Sequence, residues 1–217
     1  MNAPRILNMA KSRPTGKSNA PPIFSINPDN PQQRLINHVK DILGNGGLIA
    51  YPTDTFYGIG CDLNNKKGIQ LIYWLKNRPL NKPFSFVCDG LKEISRYAIV
   101  SNYAYKTMKR LLPGPYTFVL EGTRLVPKIM LTKRKTVGIR VPDNKICQSI
   151  VQTFGRPIIS TSAGYDDPQS IKEAYGPHLD VIIDGGVLFP SPSSVVSLIN
   201  DIPEVIREGK GDVSIFA

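Results

Sequence analysis

Cysteine and histidine are both scarce in this chain, and their scarcity removes whole classes of chemistry. Cys61, Cys88 and Cys147 stand far apart and form no C-x-x-C pair. An odd number at such spacing makes no disulfide set and suits a reducing compartment, with the thiols buried as core residues. With only His38 and His178 beside them, a histidine-rich metal site lacks donors. No apolar run approaches the roughly 18 residues of a membrane helix, so a soluble, cytoplasmic protein is expected. Aromatic residues make up 8% of the chain. No stretch interleaves them with cations in the way single-strand nucleic-acid binders do, although backbone binding of duplex RNA needs no such pattern. Acidic residues are missing altogether from residues 1–25, which carry Arg5, Lys11, Arg13 and Lys17 among four prolines. That segment has no apolar stretch for a secretory signal. Its prolines also oppose the amphipathic helix of a transit peptide. A disordered basic extension over 1–25 is expected, followed by one domain over 26–217.

What is present is a strong positive charge and an alternation of strand and helix signals. The formal charge of +10 favours anionic partners such as nucleotides and RNA without selecting among them. A hydrophobic content of 41% in 217 residues is enough for one core. Asn30 and Pro31 read as the cap and first position of a helix carrying Leu35, Ile36, Val39, Ile42 and Leu43. A strand over 47–51 then delivers the hydroxyl-rich, glycine-ended segment from Pro52 to Gly60. The spacing predicts a helix over 67–77, which Pro79 stops, so that Lys76 and Arg78 sit at its end. Further strands are expected at 83–88, 116–120, 136–142, 157–159, 181–184, 194–198 and 203–207. Helices are expected at 102–112, after an Asp143 cap, and after a Ser170/Glu173 capping box. In 136–142 the alternation puts Val137, Ile139 and Val141 on one face and Arg140 on the other, beside Gly138. These signals indicate a single α/β domain, a twisted mixed sheet flanked by helices with a basic concave cleft.

Common nucleotide and hydrolase motifs fail on inspection. Gly16-Lys17-Ser18 mimics the end of a P-loop, but Lys11 stands where the first glycine belongs. Ser160-x-Ser162-x-Gly164 follows a strand as a nucleophile elbow does, yet its first glycine is absent. Gly44-Asn45-Gly46-Gly47 precedes a strand where a dinucleotide loop would follow one. A distributed site remains, made of Thr53, Lys76, Arg78, Arg140, Ser160, Ser162, Ser194 and Arg207. Cations beside hydroxyls and glycines supply charge and donors together, which is what a polyphosphate requires.

Pro52-Thr53-Asp54-Thr55, Lys76-x-Arg78, Pro113-Gly114-Pro115, Arg140-Val141-Pro142 and Ser160-Thr161-Ser162 together resemble the YrdC family. That family includes the threonylcarbamoyl-AMP synthases of tRNA modification. The resemblance runs from Ile26 to the C-terminus, about nine-tenths of the chain. Its YciO-type branch is resembled through residues 31–37, 134–138 and 205–212. The resemblance implies that Lys76 and Arg78 hold ATP phosphates and act catalytically, with Ser160, Ser162 and Arg207 also around the nucleotide. It places Thr53, Arg140 and Ser194 at L-threonine. The implied reaction consumes L-threonine, bicarbonate and ATP, with Mg²⁺ on the phosphates, for N6-threonylcarbamoyladenosine in tRNA. A double-stranded RNA or nucleotide binder with little synthesis is the alternative. One position departs from the pattern: synthases carry Ser-x-Asn where this chain has Ser162 and Gly164, and the YciO-type branch also lacks that asparagine.

Overall fold

The computed structural model of the protein describes residues 20–79, 82–131, 135–189 and 191–216. Residues 1–19 of the expected extension, the Gly16-Lys17-Ser18 tripeptide and Arg134 lie outside the described residues. In chain order the strands are β1 (Ile23–Ser25), β2 (Ile49–Tyr51), β3 (Gly58–Asp62), β4 (Ser85–Val87) and β5 (Tyr116–Glu121). Then come β6 (Thr136–Arg140), β7 (Ile158–Ser162), β8 (Val181–Asp184), β9 (Ser194–Ser197) and β10 (Glu204–Arg207). The helices are α1 (Gln33–Gly44), α2 (Lys66–Leu75), α3 (Leu91–Tyr97), α4 (Asn102–Leu111), α5 (Lys145–Phe154) and α6 (Pro168–Tyr175).

The strands form one twisted mixed sheet in the order β1-β8-β2-β3-β7-β4-β6-β5-β9-β10. The β1 edge corrects the expected boundary. Ile23–Ser25 runs parallel to β8, with Ile23 opposite Ile182, so the folded region reaches back at least to Ile23. Two further elements escape sequence periodicity: α3, and β3, which begins inside the glycine-ended segment. The glycines of β3 permit close approach. A Cβ at Gly60 would lie 2.4 Å from the Ile159 carbonyl oxygen, inside any real contact.

Helix starts also differ from expectation. Asn27, not Asn30, is the local bonding centre, its Oδ1 accepting from the amides of Asp29 and Asn30. Helix α1 then starts after Gln32 with no side-chain cap. Asn144, not Asp143, caps α5 by accepting from Cys147 N. Asp167, not Ser170, caps α6, with Pro168 in the first turn. Glu173, expected to complete the capping box, instead accepts from Gln169 Nε2.

Helices cover both faces of the sheet. On one face α2, α3, α4 and α6 pack over Ile59, Cys61, Phe86, Phe118, Ile139, Ile159 and Val196. On the other, α1 and α5 pack over Ile49, Tyr51, Val87, Ile158, Val181 and Ile183. All three cysteines are free and buried, as expected of structural thiols. Burial raises each thiol well above its usual range, so none is a thiolate nucleophile.

Along the α1/α5 face, register changes the chemistry of the surface. Gly60 of β3 pairs with Ser160 of β7, Ser160 with Ser85 of β4, and Ser85 with Gly138 of β6. Paired residues share a face, so a row of glycines and hydroxyls crosses the centre of the sheet. Two residues along β6 on the same face comes Arg140. Val195 of β9, paired with Thr117, is itself paired with Arg207 of β10, which brings Arg207 onto that face.

Candidate active site

Lys76 and Arg78 are aimed by the way α2 ends. Arg78 N donates to Tyr73 O and Asn77 N to Trp74 O, both at 3.0 Å. With Asn77 left-handed at φ 43°, this is a Schellman closure, in which asparagine substitutes for the usual glycine. The helix is thus closed by Asn77, before the expected stop at Pro79 acts. Lys76 Nζ donates to Ala163 O (3.0 Å) and Tyr175 Oη (2.9 Å). Arg78 donates from Nε to Lys82 O (2.7 Å) and from Nη2 to Pro83 O (3.0 Å), and lies over the Phe84 ring. Every partner is a neutral oxygen or a ring. Among the described residues no carboxylate pairs with either cation.

Arg140 is built differently. Its Nη2 donates to Asp54 Oδ1 at 2.7 Å and to Thr55 Oγ1 at 3.0 Å, and both members of the ion pair are largely buried. Asp54 is fixed in turn, its Oδ2 accepting from Asp143 N. Arg140 Nε is buried with no hydrogen-bond partner, a donor without an acceptor in a place where that is costly. Thr53, two residues along the same loop from Thr55, is buried; its Oγ1 donates to Phe56 O (2.6 Å) and accepts from Thr55 N (3.0 Å). It organises the loop that presents Asp54 and Thr55.

Arg207 donates to Ser193 O and Oγ. Its pKa is lowered, first by burial and then by the positive charges of Arg140 and Arg78. An anion beside Arg207 would offset both of those contributions. Ser162 is exposed and its Oγ accepts from Gly164 N. Ser160 is buried; Tyr51 Oη donates to its Oγ at 2.6 Å. The Tyr51 phenol is pushed far up by burial and stays neutral, so it can keep donating.

Arg207 thus lies near both Arg140 and Arg78, Lys76 reaches Ala163 beside Ser162, and Ser160 shares the sheet face of Arg140. Ser194 stands apart from them. It has no exposed surface, and it pairs with Tyr116, one residue off the row that holds Arg140 and Arg207. Its Oγ donates to Gly211 O (2.6 Å) and accepts from Gly209 N (3.0 Å), latching the C-terminal segment. Two residues join the site that sequence reasoning did not assign, Asp54 and Lys210, whose Nζ donates to Asp54 O (2.8 Å). Both lie inside the motifs that carry the family resemblance, so their sequence position was the available signal. A separate surface hollow of about 360 Å³ lies beside α3 and α4, lined by Lys92, Ser95, Asn102 and Tyr105 among others, and no predicted site residue lines it. Among the described residues no three His, Cys, Asp or Glu side chains cluster as metal ligands. Nor is any helix there long and apolar enough to cross a membrane.

A twisted mixed sheet flanked by helices defines the class of fold, and comparison with known proteins places the chain within it. The Sua5_yciO_yrdC family model, described as telomere recombination, matches residues 41–209, and the chain belongs to this family. It is 43% identical over 201 residues to the uncharacterized protein YciO of Escherichia coli (strain K12), covering 89% of this chain and 98% of that protein. The crystal structure of E. coli YciO superposes with a TM-score of 0.86, over 91% of this chain and 100% of that chain. A threonylcarbamoyl-AMP synthase of Bos taurus is 32% identical over 170 residues, 76% of this chain and 61% of that protein. The crystal structure of P. abyssi Sua5 complexed with L-threonine is 26% identical, with a TM-score of 0.80, over 86% of this chain and 57% of that chain.

Proposed function

We propose that this protein forms threonylcarbamoyl-AMP from L-threonine, bicarbonate and ATP in the cytoplasm, releasing pyrophosphate, as a step toward N6-threonylcarbamoyladenosine in tRNA. The observation that carries the reading is Arg140 Nε, a buried donor left without an acceptor, beside Arg207, whose pKa is lowered by burial and then by the charges of Arg140 and Arg78. Lys76, Arg78 and Arg207 hold the ATP phosphates, with Ser160 and Ser162 supplying neutral donors along the basic cleft. Arg140 takes the amino acid's carboxylate, which gives its stranded Nε an acceptor. Thr53 and Ser194 act at that end through the loops they hold, Thr53 under Asp54 and Thr55, and Ser194 under the segment carrying Lys210.

The chemistry asks the chain for alignment more than for covalent work. The threonine nitrogen bonds to the bicarbonate carbon as a carbon–oxygen bond breaks and water leaves, giving a carbamate. A carbamate oxygen then bonds to the α-phosphorus as the bond to the β-phosphate bridging oxygen breaks, and pyrophosphate leaves with the electron pair. Cations fixed in advance oppose the repulsion between the two anions and the charge growing on pyrophosphate. The donor set here fits Mg²⁺ brought in on the phosphates better than a protein-held ion, since Asp54 is engaged by Arg140; there the ion would neutralise phosphate charge.

A second reading rests on Gly164, which offers the phosphates no side-chain donor. Under it the site, or the wider surface with its net charge of +10, binds nucleotide or duplex RNA with little synthesis. A pyrophosphate-release assay separates the two. Release that requires both threonine and bicarbonate supports synthesis; ATP binding without such release leaves the second reading standing and sinks the first.

A further inference from the structure

Tyr175, the last residue of α6, reaches Lys76 at the end of α2. Its hydroxyl accepts from Lys76 Nζ at 2.9 Å and donates to Ala163 O at 3.2 Å, and the same carbonyl accepts from Lys76 at 3.0 Å. Ammonium, phenol and carbonyl close a triangle. The Tyr175 ring centroid lies 5.2 Å from Nζ, and the ring is held edge-on by Tyr165. An ammonium has three donors. Two are directed by this triangle, which fixes the direction of the third. Beside it Gly164, at φ +86°, leaves open space: a Cβ there would meet nothing within 4 Å except Lys76 Nζ at 3.9 Å. A flexible lysine would otherwise sample many rotamers across that gap.

We propose that Tyr175 is the positioning residue of the phosphate-binding lysine, steering Lys76 from α6 across the gap that Gly164 leaves. This rests on the reading of Lys76 as an ATP ligand. The hydroxyl contributes direction and leaves the charge intact, because a neutral acceptor does not cancel an ammonium. The Ala163 carbonyl ties the arrangement to the end of β7. Helix α6 thereby becomes part of the phosphate site without touching the nucleotide.

The test is a double-mutant cycle on the full chain, read as ATP affinity by calorimetry. Tyr175→Phe keeps the ring and removes the acceptor; it should weaken ATP binding about three- to tenfold while threonine affinity stays put. In a Lys76→Ala background the same change should have no further effect. Adding Gly164→Asn to Tyr175→Phe should recover part of the loss, since its amide oxygen can stand in as the acceptor. Independently of ATP, the Lys76 ammonium protons should exchange with water faster in Tyr175→Phe, as followed by NMR. Equal losses in both backgrounds would make Tyr175 a packing residue and overturn the proposal. So would undiminished binding in Tyr175→Phe when Lys76→Ala binds weakly. If Lys76→Ala binds ATP as the parent does, the nucleotide reading itself fails and takes this inference with it.

Discussion

The two cationic regions of the site differ in what holds them, and the difference separates their tasks. Lys76 and Arg78 are tethered by carbonyls, a phenol and aromatic rings, so each keeps its full positive charge. Arg140 is tethered by a carboxylate, so the pair is close to neutral overall and contributes direction more than field. A polyphosphate needs uncancelled charge. A single carboxylate needs a donor pointing the right way, and too strong a field there would hold the substrate without discrimination. The same contrast has a cost. Cations held by neutral partners add less to stability than a buried pair, whose breaking leaves a charge stranded.

The largest expected effect tests that cost. Arg140→Ala should lower the unfolding free energy by about 3–5 kcal/mol in urea titrations, because Asp54 is left buried and unpaired. Joint charge reversal, Lys76→Glu with Arg78→Glu, should weaken ATP binding more than about a hundredfold, with two charge-assisted bonds lost. Its melting temperature should stay close to that of the parent. If the reversal destabilises the fold as severely as Arg140→Ala, the contrast between the two regions is wrong. The smallest effect sharpens the comparison at the phosphate end. Gly164→Asn should raise threonine-dependent pyrophosphate release between about three- and thirtyfold, the worth of one hydrogen bond to a charged group. Asparagine tolerates the left-handed backbone there, which limits the gain without removing it. An unchanged rate in a folded variant places the weak point elsewhere.

Most strands, and the side of β6 that bears Arg140, were legible because alternation and helical spacing reflect burial directly. Caps were not. Asp29 and Asn30 follow Asn27, Asp143 precedes Asn144, and Asp167 precedes Ser170, so several competent side chains compete at each helix start. The winner depends on the φ and ψ of one residue, which composition does not encode. Strand β3 was hidden because Gly58 and Gly60 look like turn residues; the reason for them is the Tyr51 ring and the Ile159 carbonyl packed against them. The site's cations were recognisable as a set through their motifs. Their partners were not, since nothing local in the sequence joins Lys76 to Tyr175 or Tyr51 to Ser160. Ser194 shows the converse: a hydroxyl that the resemblance places at the site but whose register turns it toward a backbone latch.

Those partnerships have a consequence for how the chain can be divided. Tyr51 and Ser160 are 109 residues apart, Lys76 and Tyr175 are 99, and Asp54 and Arg140 are 86. All three spans share the stretch between Arg78 and Arg140. A single break anywhere in that stretch would put the two members of every pair on different fragments, so neither fragment would carry one complete pair. The site is a seam between two lengths of polypeptide, and reassembling the fragments would have to rebuild the sheet before any one of these contacts could return.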